Sequence, residues 1–185
     1  MALAIAIATG CFLYQPQAVR AADFKDVTDT LSEKDIDNLI TITQDPVLAA
    51  AASVYLDTHN GKTKTFNFSK ASQRRYVLKF TESISPYRSD YNVSAKTLSK
   101  RIFGCSTSKV KMVQGEFGDI YLDVGYGERF FPWKEGKKLY VYFCLYNVDY
   151  YDYSWDIIGN VRLEVKRKSS APCGWVVKSM KVSRA

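Results

Sequence analysis

Near Cys105 the spacing of apolar positions along the chain changes from helical to alternating. Before that point, Ile36, Leu39 and Ile40 fall on one helical face. Ser32, followed three residues later by Asp35, is a capping-box-like start for them. Asp45-Pro46 predicts a second start, because the carboxylate caps free amides and proline at the first helical position has none to satisfy. The Ala-rich run Val47 to Leu56 continues this helix, and Asn60-Gly61 ends it. Phe66 and Phe68 flank an expected short loop. Ser69 is placed to cap a helix reaching about Ser85, with Tyr76, Val77, Phe80, Ile84 and Tyr87 as its apolar stripe and Pro86 as its stop. Ser94 opens another helix, in which Leu98 and Ile102 share a face and Gly104 terminates.

After Cys105 the period is two. Val110 to Val113 and Ile120 to Val124 read as strands, punctuated by Gly115, Gly118, Gly125 and Gly127. Leu139 to Tyr146 is the clearest strand. Leu139, Val141, Phe143 and Leu145 face one way, and Tyr140, Tyr142, Cys144 and Tyr146 the other. Both sets are apolar enough to be covered, which predicts a central strand. Val161, Leu163 and Val165 alternate with Arg162, Glu164 and Lys166, so that strand has one wet face. Pro172-Cys173-Gly174 forms a turn before a last strand, Trp175 to Val182. Helices followed by antiparallel strands predict an α+β fold, with the helices on one face of a strongly curved antiparallel sheet. Phe130-Phe131-Pro132-Trp133 is an apolar cluster expected in a loop tucked under the sheet edge.

The first residues change the picture of where the chain works. Ala2 to Tyr14 is apolar and nearly uncharged, and shorter than the roughly 20 residues a membrane span needs. Gln15-Pro16-Gln17 interrupts it, and Val19-Arg20-Ala21 puts small residues where a signal peptidase reads them. Residues 1–21 are therefore expected to be a signal peptide, its start incomplete because no cation precedes the apolar run. A polar leader over 22–35 and one α+β domain over 36–185 follow. The expected location is secreted or extracytoplasmic and associated with the cell envelope, with no transmembrane span in the mature chain. Ala8-Thr9-Gly10-Cys11 offers the alternative of a lipoprotein anchored through Cys11. Cleavage after Ala21 leaves Cys105, Cys144 and Cys173, an odd number that cannot all pair within the chain.

The order of elements resembles the NTF2-like superfamily, whose fold is a cone of helices laid across a bent antiparallel sheet. The resemblance is carried by Gly118-Asp119-Ile120-Tyr121-Leu122, Leu139-Tyr140-Val141-Tyr142-Phe143, Val161-Arg162-Leu163-Glu164-Val165 and Gly174-Trp175-Val176-Val177-Lys178-Ser179-Met180. It covers roughly Ile36 to Val182 and is one of pattern. It implies a pocket between helices and sheet, used for catalysis by some members and for binding alone by many. No family catalytic residue has a counterpart that can be matched by position here.

Composition adds a net charge of +7 and 13 tyrosines among 185 residues. The charge favours anionic partners, although the cations are spread along the chain without a run. Asp149, Tyr150, Tyr151, Asp152, Tyr153 and Trp155 form an acidic, aromatic stretch at an expected hairpin tip, suited to a glycan, a polyamine or a basic protein. Lys166, Arg167 and Lys168, with Lys178 and Lys181 on the next strand, form a candidate basic patch that would attract a phosphate-rich envelope polymer. Nucleic acid is not expected as a partner of an exported chain. Zinc is not expected, since no CxxC is present and His59 is the single histidine. Nucleophile, metalloprotease, P-loop and dinucleotide motifs are missing, and no cofactor is expected. The reading is an exported, non-catalytic binding or interaction domain whose partner is an unknown small ligand, an envelope polymer or a protein. The alternative is a small pocket enzyme of the isomerase or dehydratase type, with Asp and Tyr as its acid and base.

Overall fold

The computed structural model describes residues 24–84, 93–113, 120–122, 132–149 and 154–185. Within them, α-helices α1 (Glu33–Thr43), α2 (Pro46–Thr58), α3 (Ala71–Leu78), the single turn α4 (Thr81–Ile84) and α5 (Ala95–Phe103) accompany an antiparallel sheet. The sheet comprises β1 (Phe24–Asp26), β2 (Lys64–Asn67), β3 (Ile120–Leu122), β4 (Pro132–Glu135), β5 (Lys138–Asp149), β6 (Ser154–Arg167) and β7 (Trp175–Arg184). Its strands run in the order β1-β4-β5-β6-β7-β2, and β3 also pairs with β5. The α+β class and the antiparallel pairing are as the apolar periods predict. No single helix among the described residues is long and apolar enough to cross a membrane.

The predicted caps form. Ser32 Oγ accepts from the Asp35 amide at the start of α1, and the Asp45 carboxylate accepts from the Val47 amide at the start of α2. Ser94 caps α5, and Gly104 ends it at φ 65°, a left-handed conformation that glycine adopts without a Cβ clash. A Cβ there would also stand 2.6 Å from Val176 Cγ1, so the glycine lets the end of α5 sit against β7.

Alternation sorts the sheet into two faces. Val141, Phe143 and Leu145 of β5, Val161, Leu163 and Val165 of β6, and Val177, Met180 and Val182 of β7 are buried on the helical side. Against them pack Leu39 and Ile42 of α1, Val47, Leu48 and Leu56 of α2, and Leu98 and Ile102 of α5. Burying each such side chain contributes about 1.5–3 kcal/mol, so this interface dominates the stability of the fold. The core position of β5 is confirmed: it pairs with β3, β4 and β6.

Several expectations are corrected. The leader contains β1, which pairs with β4, and a 3-10 turn at Thr28–Thr30. The expected loop at Phe66 is β2, which pairs with β7 and buries Phe66 while Lys64, Thr65 and Asn67 stay exposed. Helix α3 begins after Lys70, without a side-chain cap from Ser69, and stops at Leu78. There the chain tightens, as the Phe80 amide bonds to the Val77 carbonyl and Thr81 Oγ1 donates to the Leu78 carbonyl. This turn buries Phe80. Val110 to Val113 is not a strand: its end is held at the turn between α3 and α4, with the Val113 amide on the Lys79 carbonyl and Ser83 Oγ donating to the Val113 carbonyl. Pro132 and Trp133 belong to β4, not to a loop, while Phe130 and Phe131 lie outside the described residues.

Candidate functional site

The aromatic, acidic stretch falls partly outside the described residues, which omit Tyr150, Tyr151, Asp152 and Tyr153. Its flanks continue the β5–β6 pairing, with Asp149 opposite Ser154 and Val148 opposite Trp155. The stretch therefore spans the connection between the two longest strands.

The candidate basic patch is divided by strand alternation. Lys166 is exposed on the opposite face of β6 from Arg167, paired with Val176, whose side chain meets Gly104 at the end of α5. Lys181 lies on the face turned away from the helices, opposite Arg162 of β6 and Thr65 of β2. Arg167 points to the helical side. Its guanidinium donates to Asp35 Oδ2 at 2.5 Å and lies 4.7 Å from the Trp175 ring. Lys168 Nζ donates to the Gly104 carbonyl at the end of α5, also at 2.5 Å. Lys178 is exposed at a bulge opposite Glu164 and Val165, where β7 carries an extra residue. Arg167 and Lys168 thus tie the sheet to the helices, while Lys166 and Lys178 are exposed and Lys181 is half-buried.

Asp35 sits at the centre of one such tie. It accepts from Ser32 Oγ at 2.7 Å, from Trp175 Nε1 at 2.9 Å and from Arg167. The hydrogen bonds from Ser32 and Trp175, with a smaller contribution from Arg167, hold its carboxyl below the usual carboxylate range. A second tie joins the almost fully buried Asp45 to Arg101 of α5.

On the face away from the helices, β4, β5 and β6 form a matched mosaic. Arg162 lies 4.6 Å from the Tyr140 ring and 3.8 Å from Glu135. Lys138 Nζ donates to Glu164 at 3.2 Å, which raises its pKa, and Ser179 Oγ donates to the same carboxylate at 3.3 Å. Burial pushes the Tyr142 hydroxyl up, partly offset by Arg162.

A ring cluster lies between α2, β2 and α3. His59 stacks on Tyr55 at 4.1 Å, Tyr55 meets Phe66 edge-on, and Phe66 stacks on Tyr76 at 5.2 Å. Lys79 Nζ lies 4.4 Å from the Tyr76 centroid. Burial, with a smaller contribution from Tyr55, pushes the Tyr76 hydroxyl up to about 12. Among the described residues no group of three or more His, Cys, Asp or Glu could hold a metal ion.

One charged region extends well beyond the candidate basic patch and shares with it only Lys178 and Lys181. The described residues from 59 to 113, together with β7 and Ala185, carry 14 Lys and Arg but a single carboxylate side chain, Glu82. The remaining described residues carry 9 cations and 11 carboxylates. Of the 14, only Arg101 has a carboxylate partner among the described residues. The signal was present as a composition difference between segments. It forms no run because its cations occur singly or in pairs, such as Arg74-Arg75 and Lys100-Arg101, separated mostly by uncharged residues.

No family model, no curated protein and no solved structure matches the chain.

Proposed function

We propose that this chain is an extracytoplasmic, non-catalytic binding domain of NTF2-like fold that meets its partner through its surface. The observation that carries the reading is the filling of the helix–sheet interface. Leu39, Ile42, Leu48, Leu98, Ile102, Leu145, Leu163 and Met180 meet there, all fully buried. A ligand lodged among them would displace buried apolar side chains, and overfilling such a core costs about 1–3 kcal/mol. The polar residues that do come together act as ties: Asp35 with Trp175 and Arg167, and Asp45 with Arg101. Tyr76, with its proton held to about pH 12, is poorly matched to acid–base work near neutrality. The apolar leader and the small residues at Val19 and Ala21 support export.

Methyl NMR spectra under xenon pressure test the packed interface. The Leu163 and Met180 methyl signals are expected to stay in place. Saturable shifts at both would reveal an internal binding cavity and overturn the surface reading. Mass measurement of the chain recovered from the envelope fraction is expected to find an N-terminus at Ala22, and an intact Met1 in the cytosol would overturn export.

A further inference from the structure

We infer that the edge of the sheet formed by β2 and β7, together with α3, is a docking surface for a base-free phosphodiester polymer, such as a poly(glycerol phosphate) chain of the cell envelope. The inference rests on the surface-binding reading above and gives it a partner class.

Three observations carry it. First, the cations here lack carboxylates such as those that pair with Arg162 and Lys138 on β5 and β6; among the described residues only Arg101 of this region is paired. Unpaired cations set close together repel one another, and a polyanion relieves that repulsion while releasing its own counterions. Second, the topology places them around an edge. Lys181 lies on the face away from the helices, opposite Thr65 of the edge strand β2. Lys64 is exposed on β2 itself, and the Lys178 carbonyl accepts from the Phe68 amide, which sets Lys178 beside the end of that strand. Lys70 follows as the residue before α3, and Arg75 lies on that helix. The cations therefore pass from one layer of the molecule to the other. A flexible chain can follow such a path, whereas a flat bilayer can touch only one side of it. Third, the large rings in this region are mostly withdrawn. Phe66, Phe68, Phe80 and Phe103 are buried, so they offer no faces on which successive bases could stack, as single-stranded nucleic acid requires. Backbone phosphates without bases fit the chemistry better.

The test is binding of the full mature chain to deacylated poly(glycerol phosphate) by calorimetry across a salt series, with oligothymidylate and anionic phospholipid vesicles as parallel arms. Binding is expected to weaken with salt at a log–log slope of about −3.5 for five phosphate contacts, one for each of the five cations. A Lys64→Glu, Lys70→Glu, Lys178→Glu variant is expected to lose more than tenfold in affinity. A Lys34→Glu, Lys134→Glu, Lys137→Glu variant, with the same net charge, is expected to lose less than threefold. If circular dichroism shows the first variant unfolded, the corresponding Lys→Gln set is read in its place, with a loss of at least fivefold expected. Absence of binding at 50 mM salt, equal losses in the two variants, or tighter binding to oligothymidylate or vesicles would each overturn the inference. Those outcomes leave the packed interface untouched, whereas xenon uptake at Leu163 and Met180 strikes the surface reading and not this polymer.

Discussion

On β4, β5 and β6 the cations turned away from the helices include two matched to carboxylates, Arg162 to Glu135 and Lys138 to Glu164. Around β2, α3 and β7 the exposed cations have no such partners among the described residues. The two regions belong to one continuous sheet, so the difference is not one of fold. Matched charges at partial exposure contribute little and mainly fix local geometry. Unmatched charges of one sign cost stability, and a protein that keeps them in number is set up to receive the opposite charge from outside. Changes that remove one charge at a time separate these roles, because their sign and size differ by region.

The largest effect is expected where a cation of the unmatched region does have a partner. Asp45 is almost fully buried, caps α2 and pairs with Arg101 of α5. Asp45→Ala removes the cap and leaves the guanidinium half-buried without its carboxylate, a change expected to cost about 3–5 kcal/mol. Denaturant unfolding monitored by circular dichroism measures it. A loss below about 1 kcal/mol would mean that this pair is no more than a surface contact.

Asp35→Ala comes next. It removes the acceptor shared by Ser32, Trp175 and Arg167 and is expected to cost about 2 kcal/mol. The folded state holds the Asp35 carboxyl below its ordinary value. Its contribution is therefore fully present above that ordinary value, near pH 4, and is lost as pH falls through the lowered one. Stability curves of the parent and Asp35→Ala should converge on acidification and run parallel between pH 6 and 8. Curves that diverge at low pH would contradict the sign.

These ties also mark how far the sequence was legible. Helix starts at Ser32, Asp45 and Ser94 were readable because a cap needs only one oxygen at a fixed spacing, and all three side chains accept as predicted. Strands β5 and β6 were readable because sustained alternation gathers one set of side chains on a single face only when the backbone is extended, whereas β7, its alternation broken by the bulge at Lys178, was marked by the turn before it. The short strands β1 and β2 were not. An edge strand of three or four residues needs only one buried side chain, as Phe66 shows, and one apolar residue has no period. Val110 to Val113 misled for the opposite reason, since its alternation fits an extended segment bonded to the turn between α3 and α4 as well as one in a sheet. The basic patch read from Lys166, Arg167 and Lys168 treated neighbours in sequence as neighbours in space. Alternation sends Arg167 to Asp35 and leaves Lys166 on the opposite face. The broader cationic region escaped notice because its members come from separate elements that only the β2–β7 pairing and the packing of α3 bring together.

A smaller effect is expected in the matched mosaic. A double-mutant cycle of Arg162→Ala and Glu135→Gln should return a coupling below about 1 kcal/mol, since both side chains are about one-third exposed and 3.8 Å apart. Truncating Arg162 also removes its contact with the Tyr140 ring, worth about 0.5–1 kcal/mol, so the single variant should lose more than the cycle assigns to the ion pair. Equal values would show that Tyr140 contributes nothing.

The smallest change carries the opposite sign. Lys64, Lys70 and Lys178 are exposed and have no carboxylate partner among the described residues. Changing any one to Gln removes repulsion without breaking a contact, and a gain of up to about 0.5 kcal/mol is expected. Salt should diminish that gain, because the repulsion it relieves is screened over roughly 10 Å at 0.1 M ionic strength. Lys138→Gln on the matched face should instead be neutral or slightly destabilising, since Lys138 donates to Glu164. Thermal melts of the four variants at 20 and 300 mM salt distinguish the cases. If the edge variants lose stability as Lys138→Gln does, the edge lysines have partners of their own, and the contrast between the two parts of the sheet disappears together with the physical case for a polyanion.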